Sequence, residues 1–179
     1  MGDELWRRGC GRSGGKMTPK RFVLTFMFDP TITKVLLIRK TKPDWMAGRL
    51  NAVGGHVEEG ETFEDAAVRE FLEETGLDSQ DRWHAFLRLF RPGDNEETLR
   101  TCECYWAVSR KVTEAKTITD EEVGLFDVQS LLSRADIVKD TLWILTMAQE
   151  AASRYVSDFS EMYGEFHDKS EESQWQKLV

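Results

Sequence analysis

The sequence predicts an α+β or layered α/β fold, in which helices pack on a mixed β-sheet. Two observations support this class: β-branched and aromatic runs that include a hairpin, and strands and helices that follow one another in mixed order. This order argues against a doubly wound parallel sheet. At 179 residues, the chain is long enough for one domain with a sizeable hydrophobic core.

The predicted strands are short segments rich in β-branched and aromatic residues. Residues 21–29 and 34–40 flank the turn-like sequence PTIT and predict a hairpin, and the polar TKPDWMAG then forms a loop. Residues 50–57 form a short strand broken by Gly54 and Gly55, where the backbone turns tightly or approaches a ligand closely. Further strands are predicted over residues 83–90, 101–109 and 124–128.

Two helices are predicted. The first covers residues 62–75, with Thr62 as the N-cap, Glu64 and Asp65 in the first turn and Gly76 in the C-terminal stop position. The second runs from residue 136 to about residue 155 and carries apolar side chains spaced for packing.

The predicted domain covers residues 17–156. Residues 1–16 are Gly-rich and basic, without the apolar region of a secretory signal, and we expect a disordered leader. Residues 157–179 form an acidic tail, which we expect either to extend the last helix or to be disordered.

Composition limits the classes of function. The chain is 40% hydrophobic and 31% charged, and no apolar run is long enough to span a bilayer, so membrane insertion is not expected. A net charge of -8 argues against a protein that coats nucleic-acid phosphates, whereas a small anionic ligand would need a metal ion or a local basic patch. Cys102 and Cys104 lack C-x-x-C spacing, so we expect structural thiols and a reducing, cytoplasmic setting.

Three glutamates of the first predicted helix share an arc of roughly 100°, because positions i, i+3 and i+4 lie on one helix face: Glu70, Glu73 and Glu74. Phe63 and Ala66 lie in the same arc, and only Val68 and Leu72 lie opposite. A purely solubilising row would face away from all of the apolar residues. We therefore expect a helix covered on two faces, whose carboxylates enter a partly buried zone.

Such a cluster favours a metal site. Like charges at close range and burial both raise the pKa values of carboxylates. A divalent cation bound between them would offset both the repulsion and the cost of burial. Carboxylate oxygens are hard ligands of the kind that Mg²⁺ and Mn²⁺ prefer. The alternative to a metal site is that the glutamates form a solvated helix face and interact with side chains at i,i+4 positions.

The surrounding pattern resembles the Nudix box of Nudix (MutT-like) hydrolases, G-x5-E-x7-R-E-U-x-E-E-x-G-U with U apolar. All defined positions match: Gly55, Glu61, Arg69, Glu70, Phe71, Glu73, Glu74, Gly76 and Leu77. The resemblance extends from about residue 21 to residue 149. It implies an α/β/α sandwich, with the box helix and a C-terminal helix packed on a mixed sheet, and hydrolysis of a nucleoside diphosphate linked to another moiety.

The resemblance also implies roles for single residues. Glu70, Glu73 and Glu74 would ligate Mg²⁺ or Mn²⁺ together with the carbonyl oxygen of Gly55, while Arg69 and Glu61 would orient the ligand carboxylates. The catalytic set would include Glu70, Glu73 and Arg69. For the general base we favour Glu70, with Glu121 in the sequence ITDEEVG as competitor and Glu122 beside it. A solvated loop is the alternative for this later pair.

The segment GRLNAVGGHVEEGET is similar to oxidised-purine nucleoside triphosphatases, in which the residue matching Asn51 reads the base edge; a turn-stabilising role is the alternative. Asp140 in KDTLWILTMAQ is a second candidate for base recognition. The chain departs from that subfamily by carrying Ile137 and Lys139 where the pattern has Trp and Asp. Trp45 could supply the aromatic platform, or could anchor its own loop.

We therefore expect a monomer or homodimer that cleaves a nucleoside triphosphate, modified purines included, to the monophosphate and pyrophosphate. The alternatives are hydrolysis of ADP-ribose, a dinucleoside polyphosphate or capped RNA, and a nucleotide-sensing module without catalysis.

Overall fold

The computed structural model describes residues 18–78, 81–92, 98–154, 160–165 and 174–177, which form an eight-stranded mixed sheet with helices on both faces. The strands are β1 (Thr18–Phe28), β2 (Lys34–Arg39), β3 (Leu50–Asn51), β4 (His84–Pro92), β5 (Thr98–Val108), β6 (Glu122–Asp127), β7 (Ser160–Glu165) and β8 (Gln174–Lys177). The helices are α1 (Phe63–Thr75), α2 (Val128–Leu131) and α3 (Lys139–Arg154).

The sheet runs in the order β3-β2-β1-β5-β4-β7-β8, and β6 pairs with β2 outside this path. Its centre is the parallel pair of β1 and β5, in which Phe22 is opposite Cys102 and Phe28 is opposite Val108. β4 and β7 are also parallel, whereas the other pairs are antiparallel. This mixture of directions confirms the predicted α+β class.

The hydrophobic core is divided between the two faces of the sheet, because successive side chains of a strand point to opposite faces. Phe26 and Phe28 of β1 pack with the buried side chains of α2 and α3. Val23 and Met27 of the same strand pack with Ala66, Ala67 and Phe71 of α1. Two helical layers therefore enclose the sheet, as an α/β/α sandwich requires.

The ends of α1 agree with the prediction. The Thr62 side chain accepts a hydrogen bond from the Asp65 N–H at 3.0 Å, and Gly76 adopts the left-handed conformation with φ 63° while its N–H bonds the Leu72 carbonyl. The expectation that α1 is covered on two faces was wrong. Val68 and Leu72 are each 41% exposed, because only the face that carries Ala66, Ala67 and Phe71 meets the sheet.

Other strand and helix boundaries differ from the predicted ones because of specific local contacts. β3 is limited to Leu50–Asn51 instead of the predicted 50–57, and the rest of that segment touches β1 only through isolated bridges at Val53 and His56. α3 begins at Lys139 rather than at residue 136, because Ile137 forms a bridge with Leu50 of β3. The short helix α2 was not predicted; the Asp127 side chain caps it by accepting the Ser130 N–H.

The predicted tail, residues 157–179, contains the strands β7 and β8 rather than a helical extension. β7 pairs with β4, whose outer edge would otherwise present unpaired backbone groups. The predicted leader, residues 1–16, lies outside the described residues. Within the ranges that the structure describes, no helix has the length and apolar character needed to cross a membrane.

Gly54 provides a stability test of the segment that leads into α1. A Cβ atom at this position would overlap the backbone carbonyl of Val23, which cannot move without disturbing the sheet. Gly54→Ala should therefore lower the free energy of unfolding by about 3 kcal/mol in urea denaturation. Gly48→Ala is the control: its φ of 79° is unfavourable, but nothing lies within 4 Å of the added Cβ, so a loss of about 1 kcal/mol is expected. Equal losses in the two variants would contradict the proposed overlap.

Candidate active site

The site forms where α1 meets the segment that follows β3. Gly55 pairs with β1, and its carbonyl oxygen accepts the Val23 N–H at 2.9 Å. The carboxylate of Glu70 lies against the Cα of Gly55, so closely that a Cβ there would overlap it. A glycine at this position therefore leaves room for the Glu70 side chain, which is only 14% exposed. The carbonyl oxygen keeps a second lone pair for another partner.

Arg69 is the centre of the hydrogen-bond network on α1. Its Nε and Nη2 bind the two carboxylate oxygens of Glu61 at 2.9 and 3.0 Å. Its Nη1 donates to Glu70 Oε1 at 2.9 Å and to Glu73 Oε2 at 3.0 Å, and Nη2 also bonds the His56 carbonyl at 2.9 Å. The hydrogen bond to Glu61 raises the pKa of Arg69 most, and the hydrogen bond to Glu70 adds to the shift. One guanidinium thus connects two predicted metal ligands to the loop before the helix.

Glu61 links this network to the sheet. Its carboxylate also accepts the Glu58 N–H at 2.9 Å, and its backbone carbonyl accepts a hydrogen bond from Arg21 Nη1 at 3.1 Å. The hydrogen bonds from Arg69 and from the Glu58 N–H lower the pKa of Glu61. Glu61 is therefore held as an ionised acceptor for Arg69, and its role in orienting the metal ligands stays a prediction.

Glu74 has a different environment from the other box glutamates. Burial raises its pKa; a hydrogen bond from Thr119 Oγ1 to Glu74 Oε2, at 2.8 Å, opposes this shift, and the negative charges of Glu121 and Glu70 add to it. The crowding of carboxylates expected from the sequence is thus present at Glu74. The Glu73 side chain, in contrast, is 57% exposed.

Glu121 and Glu122, the later candidates for the general base, have different surroundings in the structure. Glu121 is buried, and its carboxylate accepts hydrogen bonds from Lys40 Nζ at 2.6 Å and from the Thr41 N–H at 3.2 Å. The Glu122 side chain is 75% exposed and lies 3.9 Å from Arg39. Glu121 therefore does not belong to a solvated loop, whereas Glu122 faces the solvent.

The carboxylates surround the site without meeting at one point. In the part of the chain that the structure describes, no three His, Cys, Asp or Glu side chains converge on a common centre. In this arrangement Arg69 Nη1 bonds Glu70 and Glu73, and the Thr119 hydroxyl bonds Glu74.

The predicted base-reading residues Asn51 and Asp140 lie in β3 and in the first turn of α3. The Thr141 hydroxyl donates to the amide oxygen of Asn51 in β3, and Asp140 accepts a hydrogen bond from Arg91 Nη2 of β4. Trp45 lies in the loop between β2 and β3 and is 67% exposed. The structure therefore brings Asn51 close to the segment that carries Asp140.

Sequence reasoning missed several residues of these networks: Arg21, Lys40 as a partner of Glu121, Arg91, Thr119 and Thr141. Each is far in sequence from the group it contacts, as with Thr119 and Glu74, which are 45 positions apart. Only the position of Thr119, in the same loop as Glu121, offered a signal.

Comparisons with known proteins give consistent results. The sequence model described as the NUDIX domain matches residues 18–145. An oxidized purine nucleoside triphosphate hydrolase of Mus musculus is 48% identical over 60 residues, a match that spans 34% of this chain and 36% of that protein. The chain thus matches only about a third of the length of this curated relative.

Solved structures share the fold. A mutator MutT protein from Bacillus halodurans superposes with a TM-score of 0.63 at 16% identity, covering 87% of this chain and 97% of its own. The NUDIX domain of Shewanella oneidensis NrtR, crystallised with ADP ribose, gives a TM-score of 0.61 at 16% identity, covering 85% of this chain and 99% of its own. At such identities, the similarity establishes the fold alone.

Proposed function

The chain belongs to the Nudix family, and on this premise we propose that it is a hydrolase of pyrophosphate bonds, a Mg²⁺-dependent enzyme that cleaves a nucleoside triphosphate to the monophosphate and pyrophosphate. The observation that carries the proposal is the arrangement on α1. Arg69 connects Glu61, Glu70 and Glu73, and the carboxylate of Glu70 packs against Gly55. This arrangement gathers negative charge at one edge of the helix, where a bound cation would allow an anionic substrate to approach.

The residues present fit a divalent cation in their chemistry. We propose that Glu70, Glu73 and Glu74 hold it together with the carbonyl oxygen of Gly55, since these are hard oxygen donors of the kind that Mg²⁺ and Mn²⁺ bind. When bound, such an ion neutralises charge on the diphosphate oxygens and lowers the pKa of water. Arg69 and Glu61 keep the carboxylates oriented, because the planar guanidinium fixes two of them at once.

The proton acceptor is proposed to be Glu70. Its carboxylate is directed to the site by one hydrogen bond from Arg69, so acceptor positions remain for an attacking water. Glu121 is the competitor, but its two oxygens are already engaged by Lys40 and by the Thr41 N–H. Because each Glu121 oxygen already accepts one hydrogen bond, Glu121 has fewer free acceptor positions than Glu70, which favours Glu70.

For the base of the nucleotide, we propose recognition at the junction of β3 and α3. Asn51 and Asp140 supply polar groups there, and the partial similarity to an oxidized purine nucleoside triphosphate hydrolase supports a purine, modified purines included. Ile137 does not supply a stacking ring, since it is an aliphatic residue buried in the core. The exposed Trp45 is the candidate for that contact. The free Cys102 and Cys104 thiols are compatible with a cytoplasmic enzyme.

A panel of nucleotides hydrolysed in ¹⁸O-water tests this function. The expected result is monophosphate and pyrophosphate, with ¹⁸O in only one of the two products, which identifies the attacked phosphorus. The panel should include ADP-ribose, because a Nudix domain of the same fold has been crystallised with it. Release of orthophosphate from triphosphates, or hydrolysis of ADP-ribose alone, would contradict the proposed substrate class.

Asp140→Asn tests base recognition. Removing the charge that accepts hydrogen bonds from Arg91 and, as proposed, from the purine should raise KM for the preferred nucleotide about tenfold, with kcat changed less than about threefold. Steady-state kinetics measures both. Glu150→Gln is the matched control, since Glu150 is on the same helix but pairs with Arg154 at the surface. An unchanged KM in folded Asp140→Asn protein would remove Asp140 from the proposed site.

A further inference from the structure

Thr119 connects the helix of the candidate site to the loop that precedes β6. Its hydroxyl donates a hydrogen bond to Glu74 Oε2 at 2.8 Å. The hydroxyl oxygen of Thr119 also accepts a hydrogen bond from the Glu121 N–H at 3.2 Å. One hydroxyl thus contacts a proposed metal ligand and the backbone of the competing base. Neither contact follows from the box pattern, which ends at Leu77.

The loop that carries Thr119 is fixed on both sides. Before it, the Lys116 N–H bonds the carbonyl of Thr75, the last residue of α1, at 2.8 Å. After it, the Glu121 side chain is bound by Lys40 and by the Thr41 N–H, and the Val123 N–H bonds Thr117 Oγ1 at 2.9 Å. Although Thr119 is exposed, its backbone therefore has a defined position relative to α1.

Glu74 itself has few other means of orientation. Arg69 contacts Glu61, Glu70 and Glu73, but no hydrogen bond from its guanidinium reaches Glu74 among the described contacts. A glutamate has three side-chain torsions, so a carboxylate without a fixed partner samples several positions. The Thr119 hydroxyl bond restricts this freedom and engages one oxygen, while the other carboxylate oxygen keeps its lone pairs.

We propose that Thr119 is a positioning residue that holds the Glu74 carboxylate for cation binding, an inference that rests on the proposed role of Glu74 as a metal ligand. Hydrogen bonds to ligating carboxylates fix their orientation, and their loss typically weakens metal affinity by ten- to a hundredfold. Because Thr119 is solvent-exposed, the lower end of this range is expected.

The test measures the binding of Mn²⁺ alone, from the electron paramagnetic resonance signal of the free ion, to four folded variants. Thr119→Val should weaken Mn²⁺ affinity about tenfold, and Thr119→Ser, which keeps the hydroxyl, should stay within about twofold of the wild type. Thr117→Val is the matched control, because it removes the acceptor of a backbone N–H in the same loop without touching Glu74. Should Thr119→Val not fold, Thr119→Ala replaces it with the same expected loss.

The fourth variant, Glu74→Gln, separates the two hypotheses. If it loses Mn²⁺ affinity while Thr119→Val binds like the wild type, the positioning role is wrong and the proposed function stands. If Glu74→Gln binds like the wild type, the ligand assignment fails and the inference fails with it. In the Glu74→Gln background, Thr119→Val should cause no further loss, since the two changes act through one carboxylate. Equal losses in Thr117→Val and Thr119→Val would show a loop effect and would overturn the inference.

Discussion

Glu74→Gln should reduce turnover at least about a hundredfold, which corresponds to about 2.7 kcal/mol of lost transition-state stabilisation. The substitution keeps the size of the side chain and its ability to accept the Thr119 hydrogen bond, but removes the negative charge. Burial already raises the pKa of Glu74, so this position tolerates a neutral group, and α1 should remain folded. The loss would therefore come from the site and not from the fold.

The measurement is steady-state hydrolysis at saturating Mg²⁺, together with circular dichroism to verify folding. Glu64→Gln is the control, because Glu64 is an exposed residue in the first turn of the same helix. Its activity should stay near that of the wild type. Near-normal turnover of folded Glu74→Gln protein would exclude Glu74 from the catalytic site.

Arg69→Lys should reduce turnover about a hundredfold and also destabilise the protein. A lysine keeps the positive charge but loses the planar fork that binds both oxygens of Glu61 and, at the same time, Glu70 and Glu73. Without the fork, the two glutamates on α1 lose their common partner, and Glu61 loses the contact in which both of its oxygens bind one guanidinium. A misplaced ligand set lowers kcat more than it raises KM.

Steady-state kinetics and thermal unfolding together measure this effect. Arg134→Lys is a matched control, because Arg134 also binds both oxygens of one carboxylate, that of Asp136, but away from the box. This control should keep its activity, and its melting temperature should change little. If Arg69→Lys lost stability without losing turnover, Arg69 would serve the fold alone.

The parts of the fold that the sequence predicted depend on local signals. Thr62 and Gly76 mark the ends of α1 through hydrogen bonds within a few residues of each, so the pattern alone contains them. The exposure of Val68 and Leu72 depends on what covers the helix, and the strands β7 and β8 depend on the free edge of β4. These features arise from distant pairing and are not encoded by local spacing.

The candidate site also contains some contacts that local spacing predicts and others that it does not. The contact between Glu61 and Arg69 could be predicted from the box, because the spacing of these residues on one helix and its preceding loop brings them together. The partners of Glu121 and Asp140 could not, since Lys40 is 81 positions from Glu121 and Arg91 is 49 positions from Asp140. Such pairs depend on the tertiary arrangement of the strands and helices, which local spacing does not contain.

Cation binding by the box glutamates is tested most directly by calorimetric titration of Mg²⁺ in the presence of a non-hydrolysable nucleoside triphosphate analogue. The measurement compares the wild type with a variant in which Glu70, Glu73 and Glu74 are all glutamine. The wild type should take up Mg²⁺ saturably and the triple variant should not, with both proteins folded. Equal uptake by the two proteins, or none by the wild type, would contradict the proposed cation site.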